Sequence, residues 1–424
     1  MLPAPLIPGS GWTRRRFLGL ALAVPAGISG ISCRSTSTLP TSTSKTPDRF
    51  FFVSEGKTVM MNADGTGRRV LELSVPNQAT WQPAGFFPDG QRVLLLSMEP
   101  RRDGPGKPFE EYYTQTPTHL WIYNLDTGAL EEIATRDRIA VFYTPQLLLA
   151  NGRLLVQVVK NRVGQVYNMN LDGSDAREFT RAGEGLPYGF SLSPDGRRVA
   201  YHLAGPNGYE IWTSNPEGGE RVRVRAHPEH LYFGPQWSPD SEWLAYSDCL
   251  FRNDPGHDWC DVEVCRPDGR EPRLLTRGQS MWFAATYGDA AHRGGGSNVV
   301  AWTRDGAVLI PQRLPDSKVA WEYQAQRPDT DHFNRDFKPD AARGGTHLTS
   351  IHPQTLAEQS LTPAIPGRWD FRGCQSADGQ WTLFCRADTG GVPSLWIQDT
   401  QARVPRELAT SPAGVDHPRW VGQR

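Results

Sequence analysis

Phe190-Ser191-Leu192-Ser193-Pro194-Asp195-Gly196-Arg197-Arg198-Val199-Ala200-Tyr201 reads as a strand, a tight reversal and a second strand. Proline presets the backbone for the second turn position, aspartate caps its own main chain, and glycine accepts the positive φ that such a turn demands. The same punctuation returns at Phe87-Pro88-Asp89-Gly90, Ser238-Pro239-Asp240-Ser241, Thr303-Arg304-Asp305-Gly306 and Ser376-Ala377-Asp378-Gly379, with Ala150-Asn151-Gly152 as a degenerate copy. A second kind of turn alternates with it: Asn62-Ala63-Asp64-Gly65, Asn124 to Gly128, Asn170-Leu171-Asp172-Gly173, Asn215 to Gly218, Arg266-Pro267-Asp268-Gly269, His352 to Thr355 and Gln398-Asp399-Thr400.

Two hairpins per repeat make a four-stranded antiparallel sheet, and sheets repeating at intervals from the mid-forties upward are the mark of propeller blades. The turns number six of the first kind and seven of the second. The missing hairpin is assembled from the two chain ends, with Val415–Val421 beside Arg49–Val53, which removes an open sheet edge. The expectation is therefore an all-β fold, a seven-bladed β-propeller of four-stranded antiparallel blades over residues 48–424, closed by its N- and C-terminal strands. A pair of β-sandwiches, the competing architecture, does not predict the alternation of turn types.

The chain ahead of this repeat carries different signals. Thr13-Arg14-Arg15-Arg16-Phe17-Leu18 followed by the apolar stretch Leu18–Ile31 resembles a bacterial twin-arginine export signal. Residues 1–33 are read as that signal and 34–47, nearly all Ser, Thr, Pro and Lys, as a linker. The apolar stretch is too short to cross a bilayer of about 30 Å as a helix, and no later segment is long and apolar enough, so no transmembrane segment is expected in the mature chain. Gly30-Ile31-Ser32-Cys33 is close to a lipoprotein box. Two readings stay open for Cys33: lipidation, or an incidental cysteine near an ordinary cleavage site. The expected location is the periplasm or cell envelope.

Composition agrees with many short strands: 42 Gly, 35 Pro and 14 Trp in 424 residues. A net charge of -1 supplies no field for nucleic acid, which is excluded as a partner. Beyond Cys33, Cys374 and Cys385 flank one turn and are candidates to face each other, and Cys249 is a candidate partner for Cys260 or Cys265.

The long connections, Glu99–Thr118, Leu250–Trp259, Arg277–Ser297 and Pro311–Thr346, all fall on one face of such a ring, where insertions build binding surfaces over a rigid scaffold. They and the approaches to the inner strands carry His230, Arg252, His257, His292, Arg293, Trp321, His332, Arg368, Asp370 and Arg372. Arginine grips carboxylates bidentately, and aromatic faces stack on sugar rings. His230, Arg293, Trp321, His332, Arg368 and Arg372 are accordingly candidate ligand-binding residues for an acidic oligosaccharide or an envelope protein.

The hairpins at 85–99, 190–203 and 235–248 resemble the propeller repeats of the TolB-like group. From Tyr188 to Trp420 the layout is similar to that of the oligogalacturonate lyases, through Pro255-Gly256-His257-Asp258-Trp259 ahead of Asp268-Gly269, and through Ala387-Asp388-Thr389-Gly390-Gly391-Val392-Pro393-Ser394-Leu395-Trp396-Ile397. The lyase resemblance implies seven blades, a divalent cation such as manganese or calcium, and β-elimination beside a uronate carboxylate. In that reading His257 is the base, Arg252 the carboxylate grip, and His292 and Asp370 metal ligands. The family's His-x-His metal pair falls where this chain has Trp369-Asp370-Phe371-Arg372, without histidine. Binding without chemistry is therefore the first expectation and metal-assisted lyase activity the second.

Overall fold

The computed structural model describes residues 48–422 except 56, 72–74, 77–79, 88, 99–117, 135–146, 161–162, 206–207, 229, 249–258, 282, 287–293, 298–299, 319–320, 324–334, 338 and 413. The turns behave as their residues dictate. The amide at the fourth position of each first-kind turn donates to the carbonyl three residues earlier, at 2.8 Å in Ser193–Gly196 and 2.9 Å in Ser376–Gly379. That fourth residue has a positive φ, 73° at Gly196 and 74° at Gly379. The opening serine hydroxyl of Ser193–Gly196 donates to the aspartate carboxylate at 2.6 Å and accepts the amide of Arg198 at 2.9 Å, which fixes the entry of the next strand.

The strands so formed are arranged as an all-β propeller, but the sheet count corrects the expectation. Hydrogen bonding divides the described blade strands into five sheets rather than seven: four of four strands and one of thirteen, with two further two-stranded ribbons. The thirteen-stranded sheet begins at Tyr232–Trp237 and ends at Pro405–Ala409. The short strand Ser280–Met281 joins its parts, pairing with Trp259–Cys260 on one side and with Gln312 on the other, and Thr346 pairs in parallel with Trp369. Turn chemistry reports where the chain reverses. It does not report whether neighbouring hairpins stay hydrogen-bonded to each other, and counting reversals therefore overcounts sheets.

The two chain ends meet. Arg49–Ser54 pairs antiparallel with Val415–Trp420, Phe50 opposite Trp420 and Phe51 opposite Arg419. Phe50 is fully buried and meets the Trp420 ring edge-on, with centroids 5.6 Å apart. The apolar residues of this first sheet pack with Leu383, Leu395 and Ile397 of the last strands, so one hydrophobic cluster spans the junction of start and end. Burying these side chains supplies about 25 cal/mol per Å² of apolar surface removed from water.

Two of the long connections contain two-stranded ribbons, Phe283–Thr286 with Gly294–Ser297 and Trp321–Tyr323 with Arg335–Phe337. Cys260, Cys265, Cys374 and Cys385 are free thiols, so the suggested Cys374 to Cys385 bridge is not formed; Cys249 lies outside the described residues. Among the described residues no helix is long and apolar enough to cross a membrane.

Candidate functional site

Two groups of side chains stand out, one at the long-loop end of the thirteen-stranded sheet and one on the inner strands where the ring closes. At the long-loop end, Asp248 finishes the strand Leu244–Asp248, Trp259 opens Trp259–Cys265, Arg313 finishes Val308–Arg313, and Trp369 opens Trp369–Gln375. The bridging pairs at Ser280 and Thr346 lock this end. His230 Nδ1 lies 2.6 Å from Asp248 Oδ2. Burial raises the Asp248 carboxyl above the ordinary range, against the opposing pull of His230, and its buried Oδ1 has no hydrogen-bond partner among the described residues. The exposed His227 ring stands edge-on to His230 at 4.4 Å, and Tyr232 stacks on His230 at 5.4 Å. Nearby, Trp259 stacks on Trp369 with centroids 6.4 Å apart, while the Arg313 guanidinium lies 5.2 Å from the Trp259 ring centre. Arg368 is exposed immediately before Trp369.

His230 and Arg368 thus fall at this end, as their sequence positions suggest. Cys33, Arg252, His257, His292, Arg293 and His332 lie outside the described residues. Trp321 opens a ribbon strand opposite Phe337. Asp370 is buried and spoken for: Arg386 Nε donates to its Oδ1 at 2.6 Å and Nη2 to its Oδ2 at 2.7 Å. The same guanidinium lies 4.5 Å from the Trp396 ring centre. A cation at Asp370 has to displace that two-pronged pair. Among the described residues no group of three or more His, Cys, Asp or Glu is placed to hold a metal ion.

The second group comes from a repeated backbone device. In Leu186–Leu192, Tyr232–Trp237, Trp369–Gln375 and Val415–Trp420 the register against the adjacent strand slips by one residue, a β-bulge. The first bulge residue of each has a positive φ: Gly189 at 59°, Gly234 at 60°, Arg372 at 51° and His417 at 53°. Glycine takes this conformation freely, and at Gly189 it is also required by space, since a Cβ there lies 2.9 Å from His202 Nδ1. Arg372 and His417 hold the same backbone against their own side chains, at a cost of order 1–3 kcal/mol each. The other described non-glycine residues with positive φ lie outside the strands.

These two side chains converge on one carboxylate. Arg372 Nε is 2.5 Å from Asp416 Oδ1, and His417 Nε2 is 3.6 Å from Asp416 Oδ2. The His417 amide donates to Asp416 Oδ1 at 2.7 Å, and the Cys385 thiol donates to the same oxygen at 3.7 Å. Burial, reinforced by the Arg372 charge, depresses the His417 imidazole to about 3, so it is neutral at pH 7. Burial also lowers Arg419 to about 10, which leaves it charged. His417 Nδ1 and Arg419 Nη1 have no hydrogen-bond partner among the described residues. Of this group only Arg372 stood out in the sequence. Aligning Val415–Trp420 with the inner strands that precede the Asp-Gly turns sets His417 opposite Gly189 and Gly234, which is the signal that finds the rest.

Fold and sites together define an all-β propeller whose two ends share a sheet. No protein-family model matches the sequence, and comparison with curated proteins finds no match. Among solved structures the chain is similar to an oligogalacturonate lyase in complex with manganese, at a TM-score of 0.52 and 15% identity, covering 86% of this chain and 85% of that one. It is also similar to a puromycin-hydrolyzing peptidase of Mycobacterium tuberculosis, at 0.54 and 13%, covering 94% of this chain and 55% of that one. TolB from Acinetobacter baumannii aligns at 0.46 and 12% identity over 88% of this chain and 66% of that one. The chain spans about half of the peptidase and about two-thirds of TolB. The resemblance to oligogalacturonate lyase seen in the sequence therefore holds at the level of fold, and at such identities it establishes fold alone.

Proposed function

We propose that this protein is an exported propeller that binds an acidic saccharide on its long-loop end without transforming it. The reading is carried by the collection, at that locked end, of Arg313 on the Trp259–Trp369 stack, exposed Arg368, and the His227–His230–Asp248 group. Arginine and stacked indole together match a ring bearing a carboxylate. The twin-arginine pattern before residue 33 and the Ser/Thr-rich linker support export to the periplasm or cell envelope, with or without a lipid at Cys33.

A second reading, a metal-assisted lyase acting on acidic oligosaccharides, is favoured by the fold likeness to the manganese-bound oligogalacturonate lyase. Its cation, manganese or calcium, would polarise a uronate carboxylate. The Asp370 carboxylate proposed for it is engaged by Arg386, while its His292, His257 and Arg252 fall outside the described residues.

Titration calorimetry with oligogalacturonides, in chelator and again with manganese, separates the two. Binding that survives chelator without release of an unsaturated sugar supports the binding protein. Binding that needs the metal, or an unsaturated product, overturns it in favour of the lyase.

A further inference from the structure

We propose that a crevice between the turn Ser193–Gly196 and the turn Arg266–Gly269 binds the carboxylate of a peptide through Arg198. The crevice has a volume of about 400 Å³, and its lining includes Arg198, Glu242, Arg266, Asp268, Arg270 and Glu271. It follows the last residue of Trp259–Cys265, whereas the long-loop end begins at the first, so the inference stands apart from whatever that end binds.

The crevice is built on a fixed wall. The Pro267 carbonyl accepts the Thr213 hydroxyl of the neighbouring sheet at 3.0 Å, and a Cβ at Gly269 would lie 2.8 Å from the Val224 carbonyl oxygen. Arg266 is held from three sides: it donates to Glu242 at 3.1 Å and to Glu271 at 3.2 Å, and its guanidinium lies 4.2 Å from the ring centre of buried Trp243.

The acidic residues of the lining are all matched. Glu242 and Glu271 share Arg266, Arg273 stands 3.6 Å from Glu271, and Asp268 takes Arg270 at 2.6 Å. Arg198 differs. Among the described residues only its backbone is hydrogen-bonded, to the Ser193 hydroxyl and amide at 2.9 and 2.8 Å. The arginines that follow two earlier turns of the same kind are spent within their own sheets, Arg92 on Asp89 at 2.5 Å and Arg153 on Asp175 at 3.0 Å. The aspartate open to Arg198 in its own turn, Asp195, instead accepts the Ser193 hydroxyl and the Arg197 amide. The repeat thus offers such an arginine a partner, and Arg198 faces the crevice without one.

A guanidinium with its fork free matches a carboxylate in shape and charge. Arginine stacks cover the nearest indole, Trp243, with Arg273 5.1 Å from its ring centre beside Arg266, and no aromatic side chain is in the lining among the described residues. A sugar ring therefore finds no stacking face here. The crevice fits a carboxylate on a flexible chain, either an acidic side chain or a peptide C-terminus.

The test titrates the full chain with three peptides at pH 7 and physiological ionic strength, read by saturation-transfer NMR: N-acetyl-Gly-Glu-Gly amide, N-acetyl-Gly-Gly-Ala with a free C-terminus, and N-acetyl-Gly-Gln-Gly amide. A Kd of about 1 mM is expected for at least one of the two carboxylate peptides, with the glutamine peptide about tenfold weaker or more. Binding of the glutamate peptide assigns the site to acidic side chains, and binding of the alanine peptide to C-termini; either supports the proposal. Arg198→Gln is expected to weaken binding about tenfold. Arg270→Gln, at a side chain 80% exposed and so no threat to folding, leaves the Asp268 carboxylate unpaired in the lining and is expected to weaken binding about threefold. Carboxylate peptides no better than the glutamine peptide, or undiminished binding in either folded variant, overturns the proposal.

Discussion

Gly189 and Gly234 occupy the same place in the chain's repeating architecture as Arg372 and His417, with φ angles within about ten degrees of one another. The first two bulges carry no side chain, and the ring of His202 takes up the space beside Gly189. The last two carry long polar side chains that meet at Asp416. One backbone shape thus serves packing in one part of the ring and charge placement at its seam. The repeat explains the shape; only the particular residues explain the use.

The largest way to break this comparison is to remove the carboxylate on which the seam converges. Asp416→Ala takes from buried Arg372 the carboxylate it pairs with and is expected to cost about 3–5 kcal/mol in urea unfolding. A loss under about 1 kcal/mol contradicts the convergence.

Acid probes the packing side of the comparison. Burial alone depresses His202 from 6.5 to about 3. Between those values the unfolded chain takes up a proton that the folded chain refuses, so stability rises with pH across this window and is lost as pH falls through it. The contribution is on the order of 4 kcal/mol for an imidazole so fully enclosed. His202→Phe should flatten the acid limb of a stability against pH curve, and an unchanged limb speaks against a neutral buried histidine.

Gly189→Ala combines a left-handed alanine with a close approach to His202 and is expected to cost about 2 kcal/mol. Arg372→Gly relieves the backbone strain but takes the guanidinium from the buried Asp416 carboxylate, so a net loss of about 1–3 kcal/mol is expected, smaller than for Asp416→Ala. An Arg372→Gly chain more stable than the native one removes the distinction between packing bulge and charge-bearing bulge.

Much of this architecture was legible in local chemistry. The Asp-Gly turns fixed the reversals, and the first-kind hairpin missing from the alternation announced the meeting of Arg49–Val53 with Val415–Val421. The number of sheets was not legible, because Ser280 joins hairpins through hydrogen bonds that depend on how they pack side by side. The fate of Asp370 was within reach: it stands opposite Arg386 in the hairpin closed by Ser376–Gly379, and counting back from that turn through one bulge pairs them. Asp416, His417 and Arg419 read from the sequence as part of a strand and not as a site, since nothing in a single strand shows that its neighbour will present an arginine. Arg252, His257, His292, Arg293 and His332 belong to connections outside the described residues, where no geometry bears on them.

The claim that Arg372 is held in a costly conformation for the sake of Asp416 is tested most directly by a double-mutant cycle of Arg372→Gly and Asp416→Asn, followed by urea unfolding. A coupling energy above about 1 kcal/mol is predicted for two groups in such contact; additivity within about 0.5 kcal/mol would contradict it.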